Sequence, residues 1–63
     1  MILKELREEK GLTQSQLAKE IGVNQRTISQ YETQTNEPDI DTLKRLAAFF
    51  AVTIGQLLGV EEY

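Results

Sequence analysis

The sequence predicts an all-α fold, a single domain of five short helices spanning residues 1–63. Apolar side chains recur three and four residues apart, the period that places them on one face of a helix. Two capping boxes, each a threonine followed three residues later by a glutamine, begin at Thr13 and Thr53. Helices commonly end at glycine, and three glycines follow the predicted helical segments: Gly11, Gly22 and Gly59.

The composition restricts the chemistry of the chain. It contains no cysteine and no histidine, which excludes disulfide bonds and the usual zinc sites. Ten acidic and seven basic residues give a formal charge of −3, whereas most nucleic-acid-binding domains carry a basic excess. No apolar run approaches the ~20 residues needed to span a membrane, and no basic-then-apolar leader is present. We therefore expect a soluble intracellular protein with modest non-specific affinity for nucleic acid.

The first helix is predicted over Ile2–Lys10, with Leu3 and Leu6 facing inward. The second begins after the capping threonine, at Gln14, and runs to about Ile21. Its N-terminus carries free backbone amides and a partial positive charge, which favours binding of a phosphate. Gln14 could donate to the same phosphate, or it could simply be the first residue of the helix.

The stretch Gln14–Glu32 predicts two helices joined by a tight turn. Their inward positions are four and three residues apart: Leu17 and Ile21, then Ile28 and Tyr31. Gly22 can adopt the left-handed conformation of the turn, and Asn24 is a favourable N-cap for a third helix from Gln25. A helix pair crossing over a short turn that contains glycine is a helix-turn-helix.

The outward face of the third helix is polar but carries one charge, whereas a merely solvated face would carry long charged side chains of both signs. It comprises Gln25, Arg26, Ser29 and Gln30, with Asn24 and Thr27 beside them. Glutamine can bond adenine through N6 and N7, arginine can bond guanine through O6 and N7, and threonine can contact a thymine methyl. This face therefore predicts recognition of base edges.

The spacing of the apolar and small residues resembles that of lambda-repressor and Cro-type helix-turn-helix regulators, also called Xre-like. It comprises Gln14, Leu17, Ala18, Ile21, Gly22, Val23, Ile28 and Tyr31. The resemblance extends to KELREEKGLTQSQLA before it and EPDIDTLKRLAAFFAVTIGQLLG after it. It implies a compact five-helix lambda-repressor-like domain that binds double-stranded DNA and regulates transcription, most often as a repressor. It also implies a cytoplasmic protein of bacterial or phage origin.

The resemblance also implies roles for individual residues. The positions that read bases are Gln25, Arg26, Ser29 and Gln30. The expected phosphate contacts are Gln14, Asn24, Thr27, Thr33, Thr35, Asn36 and Lys44. Lys44 could equally lie on a solvated helix face. In the predicted loop Thr33–Pro38, neutral residues stand where the family commonly has basic ones, so we expect a shallow salt dependence of binding.

Arg7 is expected to pair with Glu32, because an arginine at this position in the family pairs with the glutamate that ends the recognition helix. The pair would be partly buried and would fix the first helix against the third. The alternative is that Arg7 is an ordinary solvated charge.

A fourth helix is predicted over Ile40 to about Phe50, capped by Asp39, and a short fifth helix follows Thr53. The expected inward side chains are Ile40, Leu43, Leu46, Ala47 and Phe50, with Leu57 and Leu58 in the fifth helix and Val52 between the two. Gln34 and Ala51 occupy positions where the family usually has glycine.

Phe49 follows about 100° round the helix from the inward Phe50, so we expect it towards solvent. With Val60 and Tyr63, and with Ala48 and Ala51, it could form an apolar patch for a dimer. Partial shielding at the edge of the core is the alternative. The resemblance implies a homodimer, at least on DNA, on near-palindromic half-sites.

An enzyme is not expected, because no histidine or cysteine is available for nucleophilic or metal chemistry and the chain has no glycine-rich phosphate loop. No cofactor or small-molecule ligand is indicated. The alternative function is a helical protein–protein interaction module, which the acidic balance favours. An antitoxin-like partner with the same DNA-reading surface is a third possibility.

Overall fold

The computed structural model describes all 63 residues and contains five α-helices and no strand. The helices are α1 (Leu3–Glu9), α2 (Gln14–Ile21), α3 (Gln25–Thr33), α4 (Ile40–Phe50) and α5 (Ile54–Leu58). The longest, α4, has 11 residues, and no helix combines the length and apolar content that crossing a bilayer requires. The predicted all-α class and the order of the five helices are confirmed.

Local capping signals fix where most helices begin. Thr13 Oγ1 accepts from the backbone N–H of Gln16 at 3.0 Å, and Gln16 Oε1 accepts from the N–H of Thr13 at 2.8 Å. The same reciprocal pair joins Thr53 and Gln56, both bonds being 2.9 Å. These bonds satisfy amides that have no partner within the helix, and both predicted capping boxes are confirmed.

Two helix boundaries differ from the prediction. α1 is shorter by one residue at each end than the predicted Ile2–Lys10. α3 continues through Thr33, whereas the sequence predicts this residue in the loop. The Thr33 hydroxyl donates to the backbone carbonyl of Ser29, one turn earlier, at 3.1 Å, and the helix is capped at Gln34.

The core draws side chains from all five helices. Its buried apolar members are Leu3, Leu6, Leu17, Ala18, Ile21, Ile28, Tyr31, Leu43, Leu46, Ala47, Phe50 and Leu57. Leu12, Val23 and Val52 are half-buried and pack against this cluster. No polar or charged residue belongs to the fully buried set, so the fold depends on packing of the predicted apolar faces.

Two predicted core positions are wrong. Ile40 is 61% exposed; it is the first residue of α4, where the buried face of the helix is only beginning, and Pro38 before the helix is buried instead. Leu58 is 42% exposed; its neighbour Leu57 is fully buried, and consecutive helical side chains diverge by about 100°. A five-residue helix with one buried face cannot bury both leucines.

Candidate nucleic-acid interface

The turn between α2 and α3 fixes the direction in which the chain leaves α2. Gly22 has φ = +88°, and its N–H donates to the carbonyl of Ala18 at 2.8 Å. Arg45 of α4 donates from Nη1 to the carbonyl of Ile21, the last residue of α2, at 3.3 Å. The end of α2 is therefore held both by the turn itself and by a side chain from α4.

α3 presents a polar ridge, which we call the α3 ridge, above a buried apolar face. Its members are Gln25, Arg26, Ser29 and Gln30. Gln25 and Arg26 are exposed, whereas Ser29 and Gln30 are half-buried. Ile28 and Tyr31 on the opposite face are buried, so the helix is anchored while the first turn of the ridge remains open to solvent.

Gln25 is the end of a hydrogen-bond relay that begins in the protein interior. Its Nε2 donates to Gln14 Oε1 at 2.6 Å, and Gln14 Nε2 donates to Glu32 Oε1 at 3.0 Å. Glu32 in turn pairs with Arg7, whose Nε lies 2.6 Å from Glu32 Oε2. These four residues, the relay, connect α1, α2 and α3.

The relay is anchored by nearly buried charges. The side chains of Arg7 and Glu32 are 12% and 5% exposed, and Arg7 Nη2 also donates to Glu32 Oε1 at 3.2 Å. Arg7 Nη1 donates to the carbonyl of Leu12 at 2.7 Å. The hydrogen bond from Arg7 to Glu32 raises the pKa of the guanidinium further above its ordinary value, so Arg7 keeps its positive charge beside Glu32.

Several residues expected at phosphates already bond within the protein. Asn24 Oδ1 accepts from both the backbone N–H and the hydroxyl of Thr27, each at 2.8 Å. The hydroxyls of Thr33 and Thr35 lie 3.0 Å apart and contact carbonyl oxygens of α3. A hydroxyl has one donor, so each threonine would have to release its present acceptor before donating to a phosphate.

Of the remaining expected phosphate contacts, Asn36 and Lys44 are exposed. Gln14 is half-buried and already bonds to Glu32 and Gln25. Gln14 has a second N–H on Nε2 beyond the one bonded to Glu32. Lys44 and Arg45 are adjacent in the chain but differ in their contacts, because only Arg45 forms a hydrogen bond to the end of α2.

The residues of the expected dimer patch lie in different surroundings. Phe49 is half-buried, packs edge-on against Phe50 with ring centroids 5.0 Å apart, and has Lys10 Nζ 5.4 Å from its ring centroid. It is therefore a partly shielded aromatic, the alternative that the sequence left open. Val60 and Tyr63 are 79% and 65% exposed, and the Tyr63 hydroxyl donates to Glu9 Oε1 at 2.9 Å.

Four side-chain hydrogen bonds between distant residues are not predicted by the sequence. They are Gln14–Gln25, Gln14–Glu32, Arg45–Ile21 and Tyr63–Glu9, with partners 11, 18, 24 and 54 residues apart. The sequence shows that Gln14 and Gln25 can form hydrogen bonds. It does not show that they bond to each other, because their spacing in the chain does not determine how two different helices pack.

Residues 3–57 match the family model described as helix-turn-helix. The chain is 43% identical over 60 residues to the HTH-type transcriptional activator BcrR of Enterococcus faecalis, covering 95% of this chain and 29% of that protein. It is 37% identical over 60 residues to the cryptic phage CTXphi transcriptional repressor RstR of Vibrio cholerae, covering 95% and 54%. It is 51% identical over 41 residues to the antitoxin HipB of Escherichia coli (strain K12), covering 65% and 43%.

The chain thus spans from about a third to about half of the length of these curated relatives. No solved structure matches it.

Proposed function

Because the chain belongs to the helix-turn-helix family, we propose that it binds double-stranded DNA sequence-specifically and regulates transcription, as a repressor, by occupying an operator. In this proposal residues 1–63 act as one DNA-binding domain that inserts the start of α3 into a major groove. The observation that carries it is the exposed end of the α3 ridge, where Gln25 is held in a fixed orientation by Gln14 at 2.6 Å. A polar side chain fixed in this way, above a buried apolar face, is suited to reading base edges.

Base recognition is assigned to the α3 ridge. Gln25 and Gln30 would bond adenine through N6 and N7, and Arg26 would bond guanine through O6 and N7. Ser29 has a short side chain and would contact a purine or a pyrimidine that lies close to the helix. Gln25 and Arg26 project from the first turn of α3, the end that enters the groove in this motif.

Phosphate binding is assigned first to the start of α2. The free amides there, the helix dipole and the second Nε2 hydrogen of Gln14 would all face one phosphate. Lys44, Asn36 and Asn24 would contribute further contacts, and the hydroxyls of Thr27, Thr33 and Thr35 would do so by exchanging their internal acceptors. Few of these groups are cationic, so we expect few counterions to be released and a shallow dependence of affinity on salt.

A homodimer on a near-palindromic operator is part of the proposal. The exposed apolar side chains Val60 and Tyr63, at the C-terminal end of the chain, support a contact there, and the half-buried Phe49 is the third member of the proposed patch. Sedimentation of the protein with and without its operator tests this: a monomer at every concentration in both conditions would rule out the dimer.

An antitoxin-like role is a second candidate, because one relative is named an antitoxin and the net charge of −3 is low for a DNA-binding domain. The two candidates share the DNA-reading surface and differ in the need for a partner protein. Selection of binding sites from a random-duplex library tests the shared part. The proposal predicts a recovered consensus whose binding weakens as salt rises, whereas absence of duplex binding at low salt would leave only a protein-interaction module.

A further inference from the structure

We propose that Glu32, which does not belong to the α3 ridge, determines the base preference of Gln25 by fixing the orientation of two side-chain amides. This inference rests on the proposed DNA-binding function. Glu32 would act as a positioning residue, because it is 5% exposed in its side chain and reaches Gln25 only through Gln14.

The first step is a constraint on Gln14. Both oxygens of the Glu32 carboxylate accept from Arg7, Oε2 from Nε and Oε1 from Nη2, and a carboxylate in an ion pair offers only acceptors to its other neighbours. Gln14 must therefore turn its donor, Nε2, towards Glu32, and this bond is 3.0 Å long. The amide oxygen of Gln14 is left facing Gln25.

The second step transfers the constraint to Gln25. Because Gln14 presents an acceptor, Gln25 must present its own Nε2, and the bond is 2.6 Å long. Gln25 then has its Oε1 and one remaining N–H available for a base. This acceptor–donor pair complements the N6 donor and N7 acceptor of adenine. Guanine presents two acceptors, N7 and O6, and would place O6 against the Gln25 oxygen.

Glu32→Gln reverses the relay in this scheme. The Arg7 Nε contact of 2.6 Å would take the oxygen of the new amide. Its NH₂ group would then face Gln14, and the weaker bond from Arg7 Nη2, 3.2 Å long in the parent, would be lost. Gln14 would then turn its oxygen towards position 32 and its Nε2 towards Gln25. Gln25 would be held by its oxygen and would present both N–H groups to the base, the pattern that suits guanine.

The test is site selection from a random-duplex library with the parent and four variants. Gln25→Ala identifies the base pair that Gln25 reads, because preference is lost there. At that pair, Glu32→Gln is expected to lower the ratio of adenine to guanine on the order of tenfold, the range of one bidentate contact. The double variant Gln14→Glu with Glu32→Gln should restore adenine, because a carboxylate at position 14 accepts from both neighbours. Glu5→Gln, the same charge change at an exposed site on α1, should alter nothing.

A Glu32→Gln protein that binds every sequence more weakly, with its adenine preference intact, would overturn the inference and show that Glu32 only stabilises the fold. Loss of adenine preference in the double variant would overturn it as well. If circular dichroism shows Glu32→Gln to be unfolded, Gln14→Met is tested instead, because it keeps the Arg7–Glu32 pair. A relaxed adenine preference at the same base pair supports the relay. An unchanged adenine preference contradicts it. A parent protein that selects no sequence contradicts the proposed function instead.

Discussion

Arg7 and Glu32, 25 residues apart in the chain, form an ion pair of 2.6 Å between Nε and Oε2 that joins α1 to α3. The same carboxylate accepts a hydrogen bond from Gln14, so Glu32 contacts both α1 and α2. The Glu32 carboxylate therefore both links α1 to α3 and orients the side-chain amide of Gln14. A contact between helices is coupled in this way to the polar residue that bonds Gln25 at the start of α3.

Replacing Arg7 with alanine is expected to lower the free energy of unfolding by about 3 kcal/mol or more, because it leaves the nearly buried Glu32 carboxylate without its cation. Urea denaturation followed by circular dichroism measures the change. Lys4→Ala, which removes an exposed charge from the same helix, is the control and should change stability by less than about 0.5 kcal/mol. Equal stability of Arg7→Ala and the parent would show that the pair contributes nothing.

The adjacent residues Lys44 and Arg45 should have separable effects. Arg45→Met removes the bond to the Ile21 carbonyl and should lower the free energy of unfolding by about 1 kcal/mol. Lys44→Met should leave stability unchanged, weaken binding to all duplexes alike, and reduce the slope of log affinity against log salt by about 0.9. The two variants lose the same charge, so each is the control for the other. An unchanged slope with Lys44→Met would place Lys44 on a solvated face.

Asp39 makes the stability of α4 sensitive to acid. Hydrogen bonds from the Thr42 side chain, then from its backbone amide, lower the pKa of Asp39 below 3.8. Since the folded pKa is the lower one, this stabilisation is present above pH 3.8 and is lost as the pH falls through the folded pKa. Asp39→Asn, which can still cap, should flatten this part of the stability profile in denaturation at a series of pH values. Asp41→Asn is the control, and an identical flattening there would refute the role of the cap.

Ala51 ends α4 with φ = +56°, a left-handed conformation that strains any residue with a Cβ by about 1–2 kcal/mol. Ala51→Gly should therefore raise the free energy of unfolding by about 0.5–1 kcal/mol, after allowance for the greater freedom of glycine in the unfolded chain. Ala48→Gly, the same substitution inside α4, should lower it by about the same amount. Thermal unfolding measures the stability of both variants relative to the parent. A less stable Ala51→Gly would contradict the argument.

Features set by neighbouring residues could be predicted from the sequence. Thr13, Asn24 and Asp39 cap their helices as expected, because a cap depends on groups three residues away. The apolar period likewise identified Leu17, Ile28 and Leu46, all fully buried. Ile40 has the right spacing and is nonetheless exposed, because periodicity gives a face of the helix but not how far the neighbouring chain covers it.

The sequence alone determined the five helices, their caps, most of the core and the polar character of the α3 ridge, since these depend on bonds and periods within a few residues. Tertiary structure decided which of those polar groups meet. Only the crossing of α2 and α3 brings Gln14 to both Glu32 and Gln25, and only the packing of α4 brings Arg45 to the end of α2. Hydrogen bonds between residues distant in the chain require a fixed separation and direction, which the assembled helices supply.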